Sequence, residues 1–142
     1  MYYQVQSRIN QKYVVQVPVL NIRYDSAQLA YGERLAIVKG CRDCHGNDMG
    51  GKVFVDDPGL GLLIGKNLTK GKGGLPNDYS TEDWVLALKH GIRRDGKTLL
   101  FMPSYEFTHL SEEDMSTIIA YAQSLQPVDR ELPDHNLKPL RR

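Results

Sequence analysis

Two cysteines and a histidine stand together in the run Cys41-Arg42-Asp43-Cys44-His45, which has the pattern C-x-x-C-H. Thiols three positions apart can each add across a vinyl group of haem, and the histidine beside the second thiol is then held next to the ring as an iron ligand. The chain contains only these two cysteines, so one covalently attached haem uses both. We therefore interpret the run as a c-type haem attachment motif.

Two other kinds of chemistry also use paired cysteines. A thioredoxin-like C-x-x-C does not require histidine at the next position, and it occurs in a βαβ pattern. Structural zinc needs further Cys or His ligands at finger-like spacing, whereas the remaining histidines, His90, His109 and His135, are scattered along the chain. Both alternatives stay open at this point, although haem attachment fits the motif better.

The length and composition of the chain suit one domain with loose ends. Its 142 residues are 41% hydrophobic and 25% charged, which can form one core but hardly two. No apolar run approaches the roughly 20 residues that span a bilayer, and the first residues lack the features of a secretion signal. Because haem is attached to C-x-x-C-H motifs outside the bacterial cytoplasm, we expect a leader or an N-terminal anchor to precede these residues in the natural protein.

Charge is distributed unevenly, although the formal net charge is only +1. Residues 66–97 carry seven basic and four acidic side chains, whereas residues 98–136 carry seven acidic side chains and one basic side chain, Arg130. Such asymmetry can orient a docking partner, and a solvated surface without partner preference is the alternative. Nucleic-acid binding is not expected, since the net charge is near zero and no aromatic residues are interleaved with the basic ones.

The segment before the cysteine motif has the signals of a helix. Asp25 or Ser26 can accept the first backbone N–H groups, and Lys39-Gly40 provides an end at which glycine permits the turn. Gly32, inside this helix, costs about 1 kcal/mol relative to alanine. That cost favours another helix crossing close over Gly32, with a merely tolerated glycine as the alternative.

Two capping sequences predict further helices. Residues 80–83 (Ser-Thr-Glu-Asp) begin a short helix that contains Trp84 and ends at Gly91, and residues 111–114 (Ser-Glu-Glu-Asp) begin a longer amphipathic helix stopped by Pro127. Residues 46–75 contain nine glycines and one proline, which predicts a long loop that needs something to wrap around, such as a haem edge.

These signals divide the chain into three parts. Residues 1–24, rich in Tyr, Gln and Val, are predicted to form an extended N-terminal arm or tether. Residues 25–126 form the predicted domain, and residues 127–142 form an extended C-terminal tail.

The order of these parts resembles that of the class I c-type cytochromes over residues 26–126. Both have a helix with an internal glycine, then C-x-x-C-H, a Gly-rich loop, a capped helix with tryptophan, a Met-Pro pair and a C-terminal helix. Within the class, the chain is most similar to bacterial single-haem domains attached to a membrane anchor or to a larger respiratory complex. The motifs that carry this similarity are Asn67-Leu68-Thr69, Asp83-Trp84 with His90-Gly91, Met102-Pro103-Ser104, and Leu110-Ser111 leading into Ile118-Ile119-Ala120-Tyr121.

The resemblance implies an all-α class I cytochrome c fold, with helices around one covalently bound haem and long Gly-rich loops. The first and last helices then cross near a right angle, with Gly32 and Tyr121 at the crossing. It also implies that His45 and Met102 are the two axial ligands of the iron. A thioether ligand favours Fe(II) and raises the reduction potential, which suits transfer between electron carriers.

Other side chains compete with Met102 for the second axial position. Met49 and Met115 are alternative methionines, although Met49 follows the motif closely and Met115 has the periodic position of a packing residue. His109 and His90 are the leading substitutes if no methionine binds the iron.

The resemblance also assigns residues around the ring. The backbone carbonyl of Lys66 is expected to accept the other ring N–H of His45 and fix its orientation. Leu68 is expected to lie against the haem, and Trp84 to direct its indole N–H towards a propionate, with a purely packed tryptophan as the alternative. The haem-binding residues expected in total are Cys41, Cys44, His45, Leu68, Trp84 and Met102.

The expected function is electron transfer by one haem c, without a substrate bound to the metal. The expected partners are a dehydrogenase, a quinol-oxidising complex or a terminal oxidase of a respiratory chain, in the periplasm or on the outer face of the bacterial cytoplasmic membrane. The first alternative is a peroxidase-like haem enzyme with an open sixth coordination site. The second is an interaction subunit that uses residues 1–24 and 127–142 as contact arms.

Overall fold

The computed structural model describes residues 2–138, which form two compact units. One unit comprises the chain up to Asn21 together with Tyr79–Ser116, and the other comprises Ile22–Asp78 together with the chain from Thr117 onwards. Residue 1 of the predicted arm and residues 139–142 of the predicted tail lie outside the described part. The elements are, in chain order, α1 (Tyr2–Asn10), α2 (Ser26–Val38), α3 (Cys41–His45), β1 (Lys52–Asp57), β2 (Gly61–Gly65), α4 (Thr81–Val85), a π-helical turn (Leu86–His90), a 3₁₀ turn (Ser104–Glu106), α5 (Glu112–Gln123) and β3 (Asn136–Leu137).

Helix α2 confirms the helix predicted before the cysteine motif. The Asp25 side chain accepts the first-turn amide of Gln28 over 3.0 Å. A Cβ built on Gly32 would lie 2.1 Å from the carbonyl oxygen of Thr117 and 2.8 Å from Cβ of Tyr121. Helix α5 therefore crosses α2 so closely that only glycine fits, which confirms the predicted contact.

A three-stranded antiparallel sheet, in the order β1-β2-β3, replaces much of the predicted Gly-rich loop. Val55 pairs with Leu63 in the β1–β2 hairpin, and Leu62 pairs with Asn136 of β3. The all-α prediction is thus only partly right, because short β-branched and apolar stretches on either side of a Pro-Gly turn form strands. The tail contributes one of the three strands.

The N-terminal arm also differs from the prediction, since α1 is helical. The β-branched residues that suggested extended backbone are concentrated at Val14, Val15 and Val17, after this helix has ended, and residues 13–25 contain no helix. Local propensity is a weak guide when only part of a segment carries it.

The two capping sequences begin helices where they were predicted. Ser80 accepts from the amide of Asp83, whose carboxylate accepts in return from the amide of Ser80. Ser111 accepts from the amide of Asp114 over 3.0 Å, ahead of α5. Gly91, at φ 63°, ends the π-helical turn that continues α4.

Each unit has its own buried apolar side chains. The core of the first unit contains Leu20, Trp84, Val85, Leu88, Ile92, Phe107 and Met115, and that of the second contains Ala36, Met49, Ile64, Ile118, Ile119, Ala120, Tyr121 and Ala122.

Across the described residues, no helix has both the length and the apolar character needed to cross a bilayer.

Candidate haem site

Helix α3 consists of the C-x-x-C-H run itself. Gly40 precedes it in the left-handed conformation at φ 74°, and Gly46 ends it at φ 83°. A Cβ built on Gly65 of β2 would lie 1.7 Å from the carbonyl oxygen of Cys44. Strand β2 therefore runs directly against the backbone of the cysteine helix.

The two cysteine side chains are half-buried and form no disulfide. Burial raises the pKa of the Cys41 thiol to about 11 and also raises the pKa of Cys44. A redox-active dithiol needs a thiolate stabilised near neutral pH, so the environment does not favour thioredoxin-like chemistry.

Within residues 2–138, no three His, Cys, Asp or Glu side chains are grouped as a metal site.

The imidazole of His45 is oriented by a backbone carbonyl. Its Nδ1 lies 2.8 Å from the carbonyl oxygen of Lys66. Because a carbonyl oxygen only accepts, Nδ1 carries the proton and Nε2 keeps its lone pair for a metal. Burial lowers the pKa of His45, which also favours the neutral form that binds metals. These features fit a haem iron ligand, and the expected contact with Lys66 is confirmed.

The segment after Lys66 is held by an asparagine. Oδ1 of Asn67 accepts from both the amide and the hydroxyl of Thr69, over 2.9 Å and 2.8 Å. The amide of Leu68 donates to the carbonyl oxygen of Met49 over 2.9 Å, and the Leu68 side chain is half-buried. The backbone around Leu68 is therefore well defined, while its packing against haem stays a prediction.

In the other unit, Met102 begins a tight turn. The amide of Ser104 donates to the carbonyl oxygen of Met102 over 2.8 Å, and Pro103, at φ −78° and ψ 60°, is the centre of an inverse γ-turn. The Ser104 hydroxyl donates to the carbonyl oxygen of Ala87 over 3.0 Å. Met102 is half-buried, whereas Met115 is 2% exposed. Met102 is thus presented by an anchored turn instead of filling a core.

Trp84 is 6% exposed and packs edge-on against Tyr79, with ring centroids 5.4 Å apart. Burial and the neighbouring Asp83 raise the pKa of Tyr79 to about 12. This packing supports the alternative of a structural tryptophan, and the propionate contact stays a prediction.

The predicted site residues divide between the two units. The structure places Cys41, Cys44, His45 and Leu68 in one unit. It places Trp84 and Met102 in the other. The pairing of His45 with Met102 at one iron stays a prediction.

Two arginines near the site were not identified from the sequence. Arg42, inside the motif, bonds to Glu33 of α2 and to the Tyr121 hydroxyl of α5. Arg130 in the tail forms a bidentate pair with Asp48, just after the motif. Arg42 and Tyr121 are 79 residues apart and Arg130 and Asp48 are 82 residues apart, so no local sequence pattern indicated these two contacts.

The basic excess in residues 66–97 is partly neutralised within each unit. Paired charges project a weaker field than free ones, so the predicted electrical asymmetry is reduced. Four of the seven basic side chains form ion pairs: Lys66 with Asp134, Lys72 with Glu131, Arg93 with Asp95 and Arg94 with Asp83.

Comparison with known proteins gives a consistent family. The cytochrome c family model matches residues 29–126. The chain is 32% identical to the fructose dehydrogenase cytochrome subunit of Gluconobacter japonicus, over 77% of this chain and 24% of that subunit. It is also 32% identical to the cytochrome c subunit of a quinone-type alcohol dehydrogenase from Gluconobacter oxydans (strain 621H), over 68% of this chain and 21% of the relative.

A third relative is the gluconate 2-dehydrogenase cytochrome c subunit of Pantoea cypripedii, which is 32% identical over 68% of this chain and 23% of its own length. The chain spans less than a quarter of the length of each of these relatives. The family match covers most of the chain and includes the whole cysteine motif. With the geometry of Cys41, Cys44 and His45, it shows that the chain belongs to the cytochrome c family, as a class I c-type cytochrome.

Proposed function

We propose that this chain is an electron-transfer domain that carries one haem c through Cys41 and Cys44, with His45 and Met102 as axial ligands. The observation that carries the proposal is the contact between His45 Nδ1 and the Lys66 carbonyl oxygen. It leaves Nε2 of His45, the residue that follows Cys44 in the attachment motif, available to a metal. When bound, haem supplies a one-electron couple, and the protein orients the ligand and sets the environment of the iron.

Covalent attachment is tested by mass spectrometry of the denatured protein. We expect the mass of the polypeptide plus one haem, and we expect a Cys41→Ala/Cys44→Ala variant to release its haem into acidic organic solvent. Extractable haem in the wild type would overturn the proposal, as would a dithiol or zinc protein without haem.

Axial ligation by Met102 is supported by the anchored turn that presents it and by the family resemblance. If Met102 binds the iron, both oxidation states are low spin and carbon monoxide binds slowly. Met102→Ala then opens the position and permits peroxidase-like turnover. Met102→His keeps the iron low spin but lowers the potential, since imidazole stabilises Fe(III) better than a thioether does.

Met49→Leu is the matched control, because Met49 is a buried methionine at 3% exposure and leucine preserves its volume. We expect this variant to keep the wild-type spectrum. A high-spin wild-type protein that binds carbon monoxide at once would favour the peroxidase-like alternative instead.

The partner we propose is a dehydrogenase on the outer side of the bacterial cytoplasmic membrane. The support is the similarity to cytochrome subunits of fructose, alcohol and gluconate dehydrogenases. The test is reduction of the purified haem protein by such a dehydrogenase and its substrate, followed by visible absorption. If none of the dehydrogenases tried reduces the haem protein faster than its substrate alone does, the proposed class of partner is contradicted.

A further inference from the structure

The orientation of His45 depends on the backbone position of Lys66, whose carbonyl oxygen faces Nδ1 at 2.8 Å. The carbonyl belongs to the residue that follows β2. Whatever holds this part of the chain therefore also holds the imidazole. The residues that do so come from the C-terminal strap, which we define as residues 127–138 and which lies beyond the family match at residues 29–126.

The strap contacts the chain on both sides of the Lys66 carbonyl. The amide of Ile64 donates to Nδ1 of His135 over 3.1 Å. The side-chain amide of Asn67 donates to the carbonyl oxygen of Val128 over 2.7 Å. The Lys66 ammonium itself pairs with Asp134 at 2.7 Å, although this pair is well exposed. The carbonyl that orients His45 thus lies between strap contacts.

Arg130 of the strap holds the chain segment that follows His45. Its guanidinium donates to both carboxylate oxygens of Asp48, over 3.0 Å and 2.8 Å, and to the carbonyl oxygen of Gly51 over 3.0 Å. The amide of Gly51 in turn donates to the backbone oxygen of His45 over 2.7 Å. A planar guanidinium with three aligned acceptors is a geometrically specific clamp.

The close approach of the strap also explains two glycines of the loop. A Cβ built on Gly50 would lie 2.6 Å from a side-chain methyl of Val128, and one built on Gly71 would lie 2.2 Å from the Val128 carbonyl oxygen. A larger residue at either position would displace the strap. Glycine at these two positions therefore allows the strap to pack against the loop.

We propose that Arg130 is a positioning residue for His45: through Asp48 and Gly51 it fixes the segment after the histidine, while the rest of the strap fixes the Lys66 carbonyl. This inference rests on the proposed function, in which His45 binds the haem iron. A firm hydrogen bond from Nδ1–H makes the imidazole a more basic ligand and stabilises Fe(III). Loosening the clamp weakens that bond, so the reduction potential rises.

The test compares haem-loaded wild type with Arg130→Gln. By NMR we expect solvent exchange of the His45 Nδ1 proton to accelerate about fivefold, the upper end of what an exposed ion pair contributes. The reduction potential is compared between wild type and the charge-conserving Arg130→Lys, for which we expect an upward shift, because loss of the cation in Arg130→Gln by itself lowers the potential. Glu131→Gln is the matched control, because it removes the neighbouring charged side chain of the strap, whose exposed pair with Lys72 does not involve the chain around His45. It is expected to match wild type in both measurements.

Arg130→Lys keeps the charge but loses the two-pronged geometry, and we expect exchange intermediate between wild type and Arg130→Gln. If Arg130→Gln does not fold, Arg130→Lys carries the test against the same control. Exchange and potential equal to those of Glu131→Gln would overturn the positioning role. Wild-type protein without covalent haem would instead overturn the proposed function, and the mass of the denatured protein separates the two outcomes.

Discussion

Arg42, between the two cysteines, donates from Nη2 to the hydroxyl oxygen of Tyr121 over 2.9 Å. The same nitrogen also pairs with Glu33, while the buried Nε has no acceptor among the described residues. The two contacts raise the pKa of the guanidinium and join the cysteine helix α3 to α5 and α2. The attachment motif is therefore tied to both crossing helices by one side chain.

Tyr121→Phe tests this connection. Loss of the buried hydroxyl leaves Glu33 alone on the guanidinium, and we expect the free energy of unfolding to fall by about 1.5 kcal/mol, as for a hydrogen bond to a charged group. Denaturant unfolding of the haem-loaded protein measures it. Tyr24→Phe is the control, since that tyrosine is 55% exposed and bonds to Gln123 on the surface. Equal losses in the two variants would contradict a special role for the Arg42 contact.

Gly32→Ala tests the helix crossing. Alanine gains about 1 kcal/mol of helix propensity, but its methyl group would meet the Thr117 backbone oxygen, which cannot rotate away. Overpacking of this kind costs about 3 kcal/mol, so we expect a net loss of about 2 kcal/mol in thermal or denaturant unfolding. Gly59→Ala, where the only nearby atom is Oδ1 of Asp57 at 3.3 Å, is expected to change stability little. An unchanged or stabilised Gly32→Ala protein would show that the helices can separate without cost.

The Asp48–Arg130 pair predicts a pH dependence. Arg130 lowers the pKa of Asp48 to about 2, against about 3.9 for an unperturbed aspartate. A lowered folded-state pKa gives stability that is complete above the unfolded value and lost as pH falls from about 4 towards 2. Unfolding of wild type and Asp48→Asn should therefore differ most above about pH 5 and converge in acid. A constant difference between the two proteins at all pH values would show that the pair adds nothing pH-dependent.

Salt dependence tests the partial neutralisation of the basic segment. Ferricyanide is an anion, so a cationic protein surface attracts it and rising salt slows its oxidation of the haem protein. We expect this slowing to be less than about tenfold, the level that marks strong electrostatic steering. Asp95→Asn, which removes the partner of Arg93, should steepen the dependence. A steep dependence in the wild type, unchanged in Asp95→Asn, would mean that the paired charges still act as a strong cationic field.

Helix boundaries could be predicted from the sequence because their causes are local. The Asp25 cap and the Ser80 capping box involve residues three positions apart, so the pattern contains the whole interaction. The His45–Lys66 contact was also predictable, since the resemblance supplied a partner 21 residues away.

The three-stranded sheet and the role of Arg130 could not be predicted, because both depend on residues far apart in the chain. Strand β2 lies between β1 and β3, and β3 comes from the distant C-terminal tail. Without that third strand, a glycine-dense segment with short apolar stretches has the sequence pattern of a loop. Asp48 and Arg130 are 82 residues apart, and each alone has the appearance of an ordinary surface charge. Only the folded backbone brings them together, so no local pattern could have predicted the clamp.

The contact between Ile64 and His135 has a consequence for the order of folding. It closes a loop of 71 residues, and closing such a loop restricts more chain entropy than forming the five-residue helix α3. We therefore expect α3 and its thiols to be structured early, with the strap docking late. Attachment of the haem to two neighbouring thiols and alignment of its histidine ligand would then be separate steps in time, and only the second would depend on the return of the strap.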